Sequence, residues 1–123
     1  MLLTGANTGI GLATPEVLAA RGARVWLDCR SEERDRPVLE RLRASGGGVE
    51  FLSIDLADLA SVRAAAGRFL ATGEPLHVFI NNAGVAGRSG LTPQGFELTF
   101  GTNHLGPFLF TTLLLDRLRG PGR

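Results

Sequence analysis

Residues 4–11 read Thr-Gly-Ala-Asn-Thr-Gly-Ile-Gly; they follow a short apolar run and lead into a helical pattern over residues 10–21. This order predicts a strand, a glycine-rich turn and a helix. Gly5 would take a positive φ in the turn, Gly9 would let a phosphate approach the backbone, and Gly11 would let the helix pack closely on the strand. Free N–H groups and the helix dipole favour an anion at the start of such a helix. The stretch therefore predicts a phosphate-binding turn, which is a weak signal on its own in a chain with 17 glycines.

The composition is that of one globular domain. The 123 residues are 44% hydrophobic and 20% charged, with a formal net charge of +1, so there is no electrostatic case for nucleic acid or for an acidic partner. All 13 basic residues are Arg, and there is neither Lys nor Tyr. The single cysteine, Cys29, has no internal disulfide partner, which fits a reducing compartment. No apolar run reaches the roughly 18 residues that span a bilayer, and no His, Cys, Asp or Glu cluster has metal-site spacing. We therefore expect a cytoplasmic protein without a metal or a membrane partner.

Strand patterns alternate with helical patterns along the whole chain. This alternation, with short loops, predicts a single α/β domain over residues 1–123, a Rossmann-type doubly wound parallel sheet with helices on both faces and the strand order 3-2-1-4. A ligand would bind in the crevice between strands one and four, where the glycine turn and the segment Asn81–Gly84 both fall. The predicted strands are Met1–Leu3, Arg24–Cys29, Val49–Ile54 and Leu76–Ile80; the predicted helices are Ile10–Arg21, a segment from a Ser31 cap to Ala44, Asp58–Leu70, and Pro93–Arg119 after a Thr92 cap.

Three prolines fall inside the helical patterns. At Pro15 we expect a local distortion rather than loss of the helix, because proline removes one backbone donor and crowds the preceding turn; Pro37 lies within a helix in the same way. Pro107 leaves the carbonyl of Asn103, four residues back, without its helical partner. We therefore expect a kink at Asn103, where a free carbonyl could hold a water molecule.

Four motifs together resemble the short-chain dehydrogenase/reductase family. They are Thr4-Gly5-x-x-x-Gly9-x-Gly11, Asp55-Leu56, Asn81-Asn82-Ala83-Gly84 and Asn103, in the family's order and at suitable spacing. The residues of three stretches are similar to those of the retinol-dehydrogenase-like branch: the first motif, Cys29-Arg30-Ser31 and residues 102–108. The resemblance covers nearly the whole chain but only about the first half of a full family member. We therefore expect a domain truncated at its C-terminus, and the short first strand suggests truncation at the N-terminus as well.

The resemblance implies a nicotinamide dinucleotide cofactor and assigns residues to it. Asp55 would meet the adenine through its carboxylate, and Leu56 through its backbone. Asn103 would be the active-site asparagine, which belongs to a proton relay that leads to a catalytic lysine. The remaining cofactor-binding positions are Gly5, Asn7, Thr8, Gly9, Ile10 and Gly11 around the pyrophosphate and the adenosine ribose, and Asn82, Ala83 and Gly84 along the cofactor near that ribose.

The end of the second strand bears on the choice between NAD and NADP. An acidic residue there would favour NAD by binding the ribose hydroxyls, and Asp28 is acidic. The family alignment nevertheless puts Cys29 at the discriminating position, with Arg30 next. Arg30 could pair with a ribose 2′-phosphate, and Ser31 could assist. We therefore favour NADP over NAD.

The catalytic groups of the family are missing from these residues. The family uses a tyrosine as general acid/base, a lysine four residues later and a serine that orients the substrate. The chain has neither Tyr nor Lys, and it ends before the strand that should carry the serine. Positioned proton transfer is worth about 10²- to 10⁴-fold in rate, so we expect the chain to be inactive alone. A small lipophilic alcohol or carbonyl compound would be the substrate only of the completed enzyme.

Two other functions stay open. A non-catalytic dinucleotide-binding or partner-binding module would use the helix 93–119 for association or self-association, because its apolar residues are too many for one buried face. An S-adenosylmethionine-binding, methyltransferase-like domain is the weaker alternative, because the segment Asn81–Gly84 and Asn103 would then be coincidences. His104 reads as a residue that packs its helix rather than as an acid.

Overall fold

The computed structural model describes residues 1–5 and 9–120, which divide into two compact units. The first unit is Met1–Ser53 with Val78–Ala83, and the second is Ile54–His77 with the chain from Gly84 onward. The first unit contains β1 (Leu2–Leu3), α1 (Gly9–Ala20), β2 (Val25–Cys29), α2 (Glu32–Ala44), β3 (Val49–Ser53) and β4 (Phe79–Ile80). The second unit contains α3 (Leu59–Ala71), α4 (Leu98–Phe100), a π-helical segment (Gly101–Leu105) and α5 (Gly106–Leu118).

All four strands of the first unit form one parallel sheet in the order β3-β2-β1-β4. The α/β fold class and the strand order 3-2-1-4 are thus confirmed. In the register, Leu3 pairs with Leu27 of β2 on one side and with Ile80 of β4 on the other. Because the strands are parallel, their C-terminal ends lie along one edge of the sheet. The order reverses beside β1, and at that edge the crevice of a doubly wound sheet binds its ligand.

Apolar side chains of α1 and α2 pack on this sheet. The buried core cluster consists of Leu3, Ala19, Val25, Leu27, Leu39, Leu42 and Val49. Both α1 and α2 continue through their prolines, Pro15 and Pro37, because the packed apolar face outweighs one missing hydrogen bond. As predicted, Ser31 caps α2, its hydroxyl accepting the Arg34 N–H at 3.3 Å.

The fourth strand is shorter than the sequence predicts. The nearly continuous apolar run predicts a strand over Leu76–Ile80, whereas only Phe79–Ile80 form a strand. The reason is the pairing partner: β4 pairs with β1, which offers two residues, Leu2 and Leu3. Two further hydrogen bonds extend the contact, from the Leu2 N–H to the Val78 carbonyl at 2.9 Å and from the Thr4 N–H to the Ile80 carbonyl at 3.0 Å. The short first strand therefore limits the fourth.

The second unit is built on α3 and α5. Asp58 caps α3, accepting the Ala60 N–H at 3.0 Å. Phe69 on α3, and Phe110 and Leu114 on α5, are buried. The Arg117 side chain donates to the Leu70 carbonyl at the end of α3, at 3.1 Å. These contacts hold the two helices together.

The prediction of one helix over Pro93–Arg119 with a Thr92 cap is wrong at its start, because the first helical residue is Leu98. Residues 91–97 form a turn, in which the Thr92 N–H donates to the Phe96 carbonyl at 2.7 Å. Gly95, with a φ of +89°, breaks the helical course. Glu97 is the true cap, its carboxylate accepting the Thr99 and Phe100 N–H groups at 2.6 and 3.1 Å. Thr92 and Pro93 are residue types favoured at a helix cap and at the first helical position, so the sequence alone places the start of the helix too early.

At the position where Pro107 predicts a kink, the helix departs from α-helical geometry. The helix opens into a π-helical segment, and the Gly106 N–H bonds to the Gly101 carbonyl five residues back. A single π turn absorbs a missing i→i−4 donor by inserting one extra residue. Asn103 lies at the centre of this segment.

Candidate functional site

Gly5, two residues after the end of β1, takes the positive φ that the sequence predicts. Its φ is +69°, a conformation that side chains resist. A Cβ at this position would also lie 2.7 Å from the Ala83 Cα and 2.8 Å from the Ala83 nitrogen. Since backbone atoms cannot move aside cheaply, both the torsion and the space require glycine here.

Side chains from both neighbouring strands bind the peptide groups of Gly5. The Gly5 N–H donates to Oδ1 of Asp28, in β2, at 2.7 Å. The Gly5 carbonyl accepts from Nδ2 of Asn82, which follows β4, at 3.2 Å. One glycine at the sheet edge is therefore held from β2 and from the segment after β4.

Thr4 joins the same ends of β1 and β4. Its Oγ1 accepts the N–H groups of Asn82 and Ala83, each at 3.1 Å, and the residue is only 1% exposed. We call Thr4, Gly5, Asp28, Asn82 and Ala83 the Gly5 cluster. No role for Thr4 follows from the sequence, and the family alignment puts Cys29 rather than Asp28 at the position that discriminates NAD from NADP. Both residues were visible as signals, one opening the glycine motif and the other ending β2, but the direction of a side chain cannot be derived from its position alone.

The other predicted pyrophosphate residues are described less fully. Asn7 and Thr8 lie outside the described residues. Gly9, Ile10 and Gly11 form the first turn of α1. The N-terminus of this helix therefore lies within the glycine motif.

The predicted 2′-phosphate ligands follow directly after β2. Arg30 and Ser31 are exposed, and the Ser31 hydroxyl is engaged in the α2 cap described above. The Arg30 guanidinium is thus a cation at the C-terminal edge of the sheet. Asp28 is the acidic residue of the same strand end.

Asn103 makes a two-point contact within the second unit. Its Oδ1 accepts the Val85 N–H and its Nδ2 donates to the Val85 carbonyl, both at 2.7 Å. The Asn103 amide also lies against Gly84, where an added Cβ would sit 3.5 Å from Oδ1. The side chain thus ties the segment after Asn82-Ala83-Gly84 to the π-helical segment.

Asp55 and Leu56 come shortly after β3, near the start of the second unit. The Asp55 N–H donates to the Ser61 hydroxyl at 2.8 Å, and Oδ1 of Asp55 accepts the Ala57 N–H at 2.9 Å. Leu56 is buried, and a Cβ on Gly106 would overlap the Leu56 carbonyl. The glycine that closes the π-helical segment therefore lets α5 approach the backbone of the predicted adenine-binding residues.

His104 does not pack against the interior, contrary to the sequence analysis. It is exposed and lies between two aromatic rings of the same helical face, with centroid distances of 5.2 Å to Phe100 and 6.2 Å to Phe108. We call these three residues the aromatic row. Residues four apart on a helix are neighbours, so the row follows from spacing that the sequence analysis did not use.

Within residues 1–5 and 9–120, no group of three or more His, Cys, Asp or Glu side chains could hold a metal ion. In the same part of the chain, no helix is long and apolar enough to cross a membrane.

A family model described as short chain dehydrogenase matches residues 1–123. The chain belongs to the short-chain dehydrogenase family. Retinol dehydrogenase 11 of Homo sapiens is 48% identical over 122 residues, which are 97% of this chain and 38% of that protein. This short-chain dehydrogenase chain therefore spans about two-fifths of the curated relative's length. The family predicted from the motifs, with its retinol-dehydrogenase relatives, is confirmed.

Solved structures of short-chain dehydrogenases share the fold. A metagenomic short-chain oxidoreductase in complex with NADP superposes with a TM-score of 0.81 at 31% identity, over 95% of this chain and 55% of the other. An NADH-dependent reductase complexed with NAD gives a TM-score of 0.77 at 31% identity, over 96% and 51%. Both nicotinamide dinucleotides thus occur among the proteins that this short-chain dehydrogenase chain resembles.

Proposed function

We propose that the chain is the N-terminal, cofactor-binding part of an NAD(P)-dependent short-chain oxidoreductase that transfers hydride between an alcohol and a carbonyl compound. The observation that carries the proposal is the Gly5 cluster. A glycine at the end of β1, held by hydrogen bonds from β2 and from the segment after β4, leaves no room for a side chain. Such a backbone, at the reversal point of a doubly wound sheet, suits a dinucleotide.

Anion binding at the start of α1 supports the same function. The helix begins at Gly9, within the glycine motif, and its first N–H groups have no partner within the helix. A pyrophosphate there gains hydrogen bonds and the favourable end of the helix dipole. Gly5, Asn7, Thr8, Gly9, Ile10 and Gly11 are the residues that we assign to this contact. Asp55, Leu56, Asn82, Ala83 and Gly84 remain our assignments for the adenosine half.

NADP is the cofactor that we favour, because of the exposed Arg30 after β2. A guanidinium can bind a 2′-phosphate through two parallel hydrogen bonds, whereas the 2′-hydroxyl of NAD offers it no charge. Ser31 would assist from the start of α2. R30A should therefore lower the ratio of NADPH to NADH affinity by about tenfold or more, while R36A, which removes an equal charge from the exposed side of α2, should leave the ratio unchanged.

The bound cofactor would supply the hydride, and the 123 residues contain neither the tyrosine nor the lysine that moves the proton in this family. We infer that this chain binds the dinucleotide without turnover of its own. Asn103 is our proposal for the relay asparagine, because Pro107 cannot donate to its carbonyl. For the completed enzyme we propose a small lipophilic alcohol or carbonyl compound as the substrate. We also propose the cytoplasm as its compartment.

A fluorescence titration with NADPH tests the binding, and complementation tests the chemistry. The purified chain should enhance and shift NADPH emission and should not oxidise NADPH in the presence of a lipophilic aldehyde. Addition of a separately expressed Ser/Tyr/Lys-bearing segment of a relative should restore hydride transfer. Binding without restoration would favour a non-catalytic module, and absence of any nicotinamide dinucleotide binding would refute the proposal.

The aromatic row favours a second function, association with another copy of the chain. Phe108 is 64% and Phe100 49% exposed on one helical face, and burial of two phenylalanines stabilises a complex by several kcal/mol. F108D should then abolish self-association in sedimentation velocity, whereas V17D, at a similarly exposed position on α1, should not. A native chain that stays monomeric would remove this function.

A further inference from the structure

Asp28 lies where a dinucleotide-binding fold often reads the ribose. An acidic residue at the end of the second strand, about 20 residues after the glycine turn, usually accepts hydrogen bonds from the ribose hydroxyls and selects NAD. Asp28 lies 23 residues after Gly5 and is the last residue but one of β2. Its position alone would therefore favour NAD, in conflict with Arg30 two residues later.

The side chain of Asp28 has a different, visible partner. Its Oδ1 accepts the Gly5 N–H at 2.7 Å in a part-buried position, and a hydrogen bond to a carboxylate is about twice as strong as a neutral one. Register explains the proximity: Leu3 is level with Leu27, so Asp28 is level with Thr4, the residue before Gly5. The hydrogen bond shows that the carboxylate is directed to the backbone of Gly5.

The two hydrogen bonds to Gly5 are important because glycine loses more backbone conformational entropy than any other residue when its conformation is fixed. Its accessible φ/ψ space is wider than that of any other residue, so an unrestrained Gly5 would sample many conformations. The Asp28 bond fixes its N–H, and the Asn82 amide fixes its carbonyl at 3.2 Å. With both peptide groups held, the backbone has its left-handed conformation before any ligand arrives, which reduces the entropy lost on binding.

We propose that Asp28 is a positioning residue of the dinucleotide turn, which acts by holding the Gly5 N–H, and that it does not read the adenosine ribose. This inference rests on the proposed function, since it assigns a role toward the same cofactor. It also removes the conflict at the end of β2, because Asp28 would hold the Gly5 N–H and the exposed Arg30 would discriminate NADP from NAD. Loss of the Asp28 carboxylate should therefore weaken NADPH and NADH binding to the same extent.

Two variants of the 123-residue chain separate the roles. D28N keeps an oxygen that can accept the Gly5 N–H but removes the charge that a ribose-reading carboxylate would use. D28A removes the acceptor altogether. The readouts are the hydrogen-exchange rate of the Gly5 amide by ¹⁵N NMR, without ligand, and the dissociation constants of NADPH and NADH by fluorescence. R30A is the reference for a residue that reads the ribose substituent.

D28A should speed exchange of the Gly5 amide by about tenfold or more and weaken both dinucleotides by about tenfold, whereas D28N should stay within about threefold of the native chain in every readout. The ratio of the two affinities should stay constant in both variants and change in R30A. A ratio that shifts in D28N, whose fold circular dichroism can verify, would overturn the proposal even if D28A did not fold. Unchanged exchange of the Gly5 amide in a folded D28A would also overturn it.

Failure of the native chain to bind either dinucleotide would refute the proposed function and, with it, the role of Asp28 in ligand binding. The exchange rates of the Gly5 amide would still decide whether the Asp28 carboxylate holds the Gly5 backbone.

Discussion

At the scale of single residues, Gly5 and Gly22 share a left-handed backbone but differ in what surrounds them. Their φ angles are +69° and +86°; an added Cβ would overlap the Ala83 backbone at Gly5 and would meet nothing within 4 Å at Gly22. G22A should thus lose only the torsional preference, about 1 kcal/mol of the free energy of unfolding. G5A should lose about 3 kcal/mol or more, because overlap adds to the torsion. Urea unfolding of the two variants measures the difference, and equal losses would mean that the space around Gly5 is not decisive.

At the scale of elements, two helical glycines should respond to alanine with opposite signs. A Cβ on Gly106 would overlap the Leu56 carbonyl, whereas a Cβ on Gly67, within α3, would meet nothing within 4 Å. G106A should destabilise the protein by about 1–3 kcal/mol, because α5 must move away from the backbone beside Asp55. G67A should stabilise it by about 0.5–1 kcal/mol, since alanine restricts the unfolded chain. Thermal unfolding of both variants checks the signs, and a harmless G106A would contradict the close approach.

The start of α3 carries a pH-dependent contact with the turn at residues 91–97. Nε2 of Gln94 donates to Oδ1 of the capping Asp58 at 2.8 Å, and this bond, followed by the Ala60 N–H, lowers the pKa of Asp58 from its ordinary value of 3.8. Because the folded pKa is the lower one, the cap contributes its full stability above pH 3.8 and loses it as the pH falls through the folded pKa. Q94A should raise the pKa of Asp58 toward 3.8 in an NMR titration, and S89A, an exposed substitution near that turn, should not. An unmoved pKa in Q94A would show that the amide is not its cause.

The sequence predicts elements better than it predicts their ends. The alternation of strand and helix patterns, with glycines and caps, was enough for the parallel order 3-2-1-4 and for the Ser31 cap. They were not enough for β4, whose length depends on the two residues that β1 offers as partners. They also did not reveal that Glu97 rather than Thr92 caps the long helix, because Thr92 and Pro93 have the residue types of a cap and of a first helical position.

The same limit applies to the site. Gly5 could be assigned from its motif because a torsion belongs to one residue. The role of Asp28 could not, because its partner comes from another strand and only the register places them together. Asn103 was assigned from the family motif, with Pro107 as a second, local signal, but its two hydrogen bonds to Val85 connect separate segments of the chain. Local chemistry is thus readable from sequence, and contacts across elements are not.

At the scale of the whole molecule, the Gly5 cluster lies entirely within the first unit, which also contains the sheet. A ligand that binds only the folded cluster stabilises the protein by mass action. A chain whose Gly5 cluster is formed without a ligand should therefore respond to a dinucleotide that binds there with a measurable rise in melting temperature, whether or not it can catalyse a reaction. Ligand-linked stability is thus the test of function that does not require turnover.

NADPH at about 100 times its dissociation constant should raise the free energy of unfolding by about 2.7 kcal/mol. Hydrogen exchange should slow at Ala83, whose N–H is bonded to Thr4 within the Gly5 cluster, because opening the cluster then requires release of the ligand. G5A supplies the matched control, since it removes the close approach of the backbone and should show no shift at the same NADPH concentration. S-adenosylmethionine should stabilise neither protein. Stabilisation by S-adenosylmethionine instead of NADPH would assign the crevice between β1 and β4 to a methyltransferase-like function, because the same parallel sheet edge can bind either ligand and only the groups around Gly5 distinguish them.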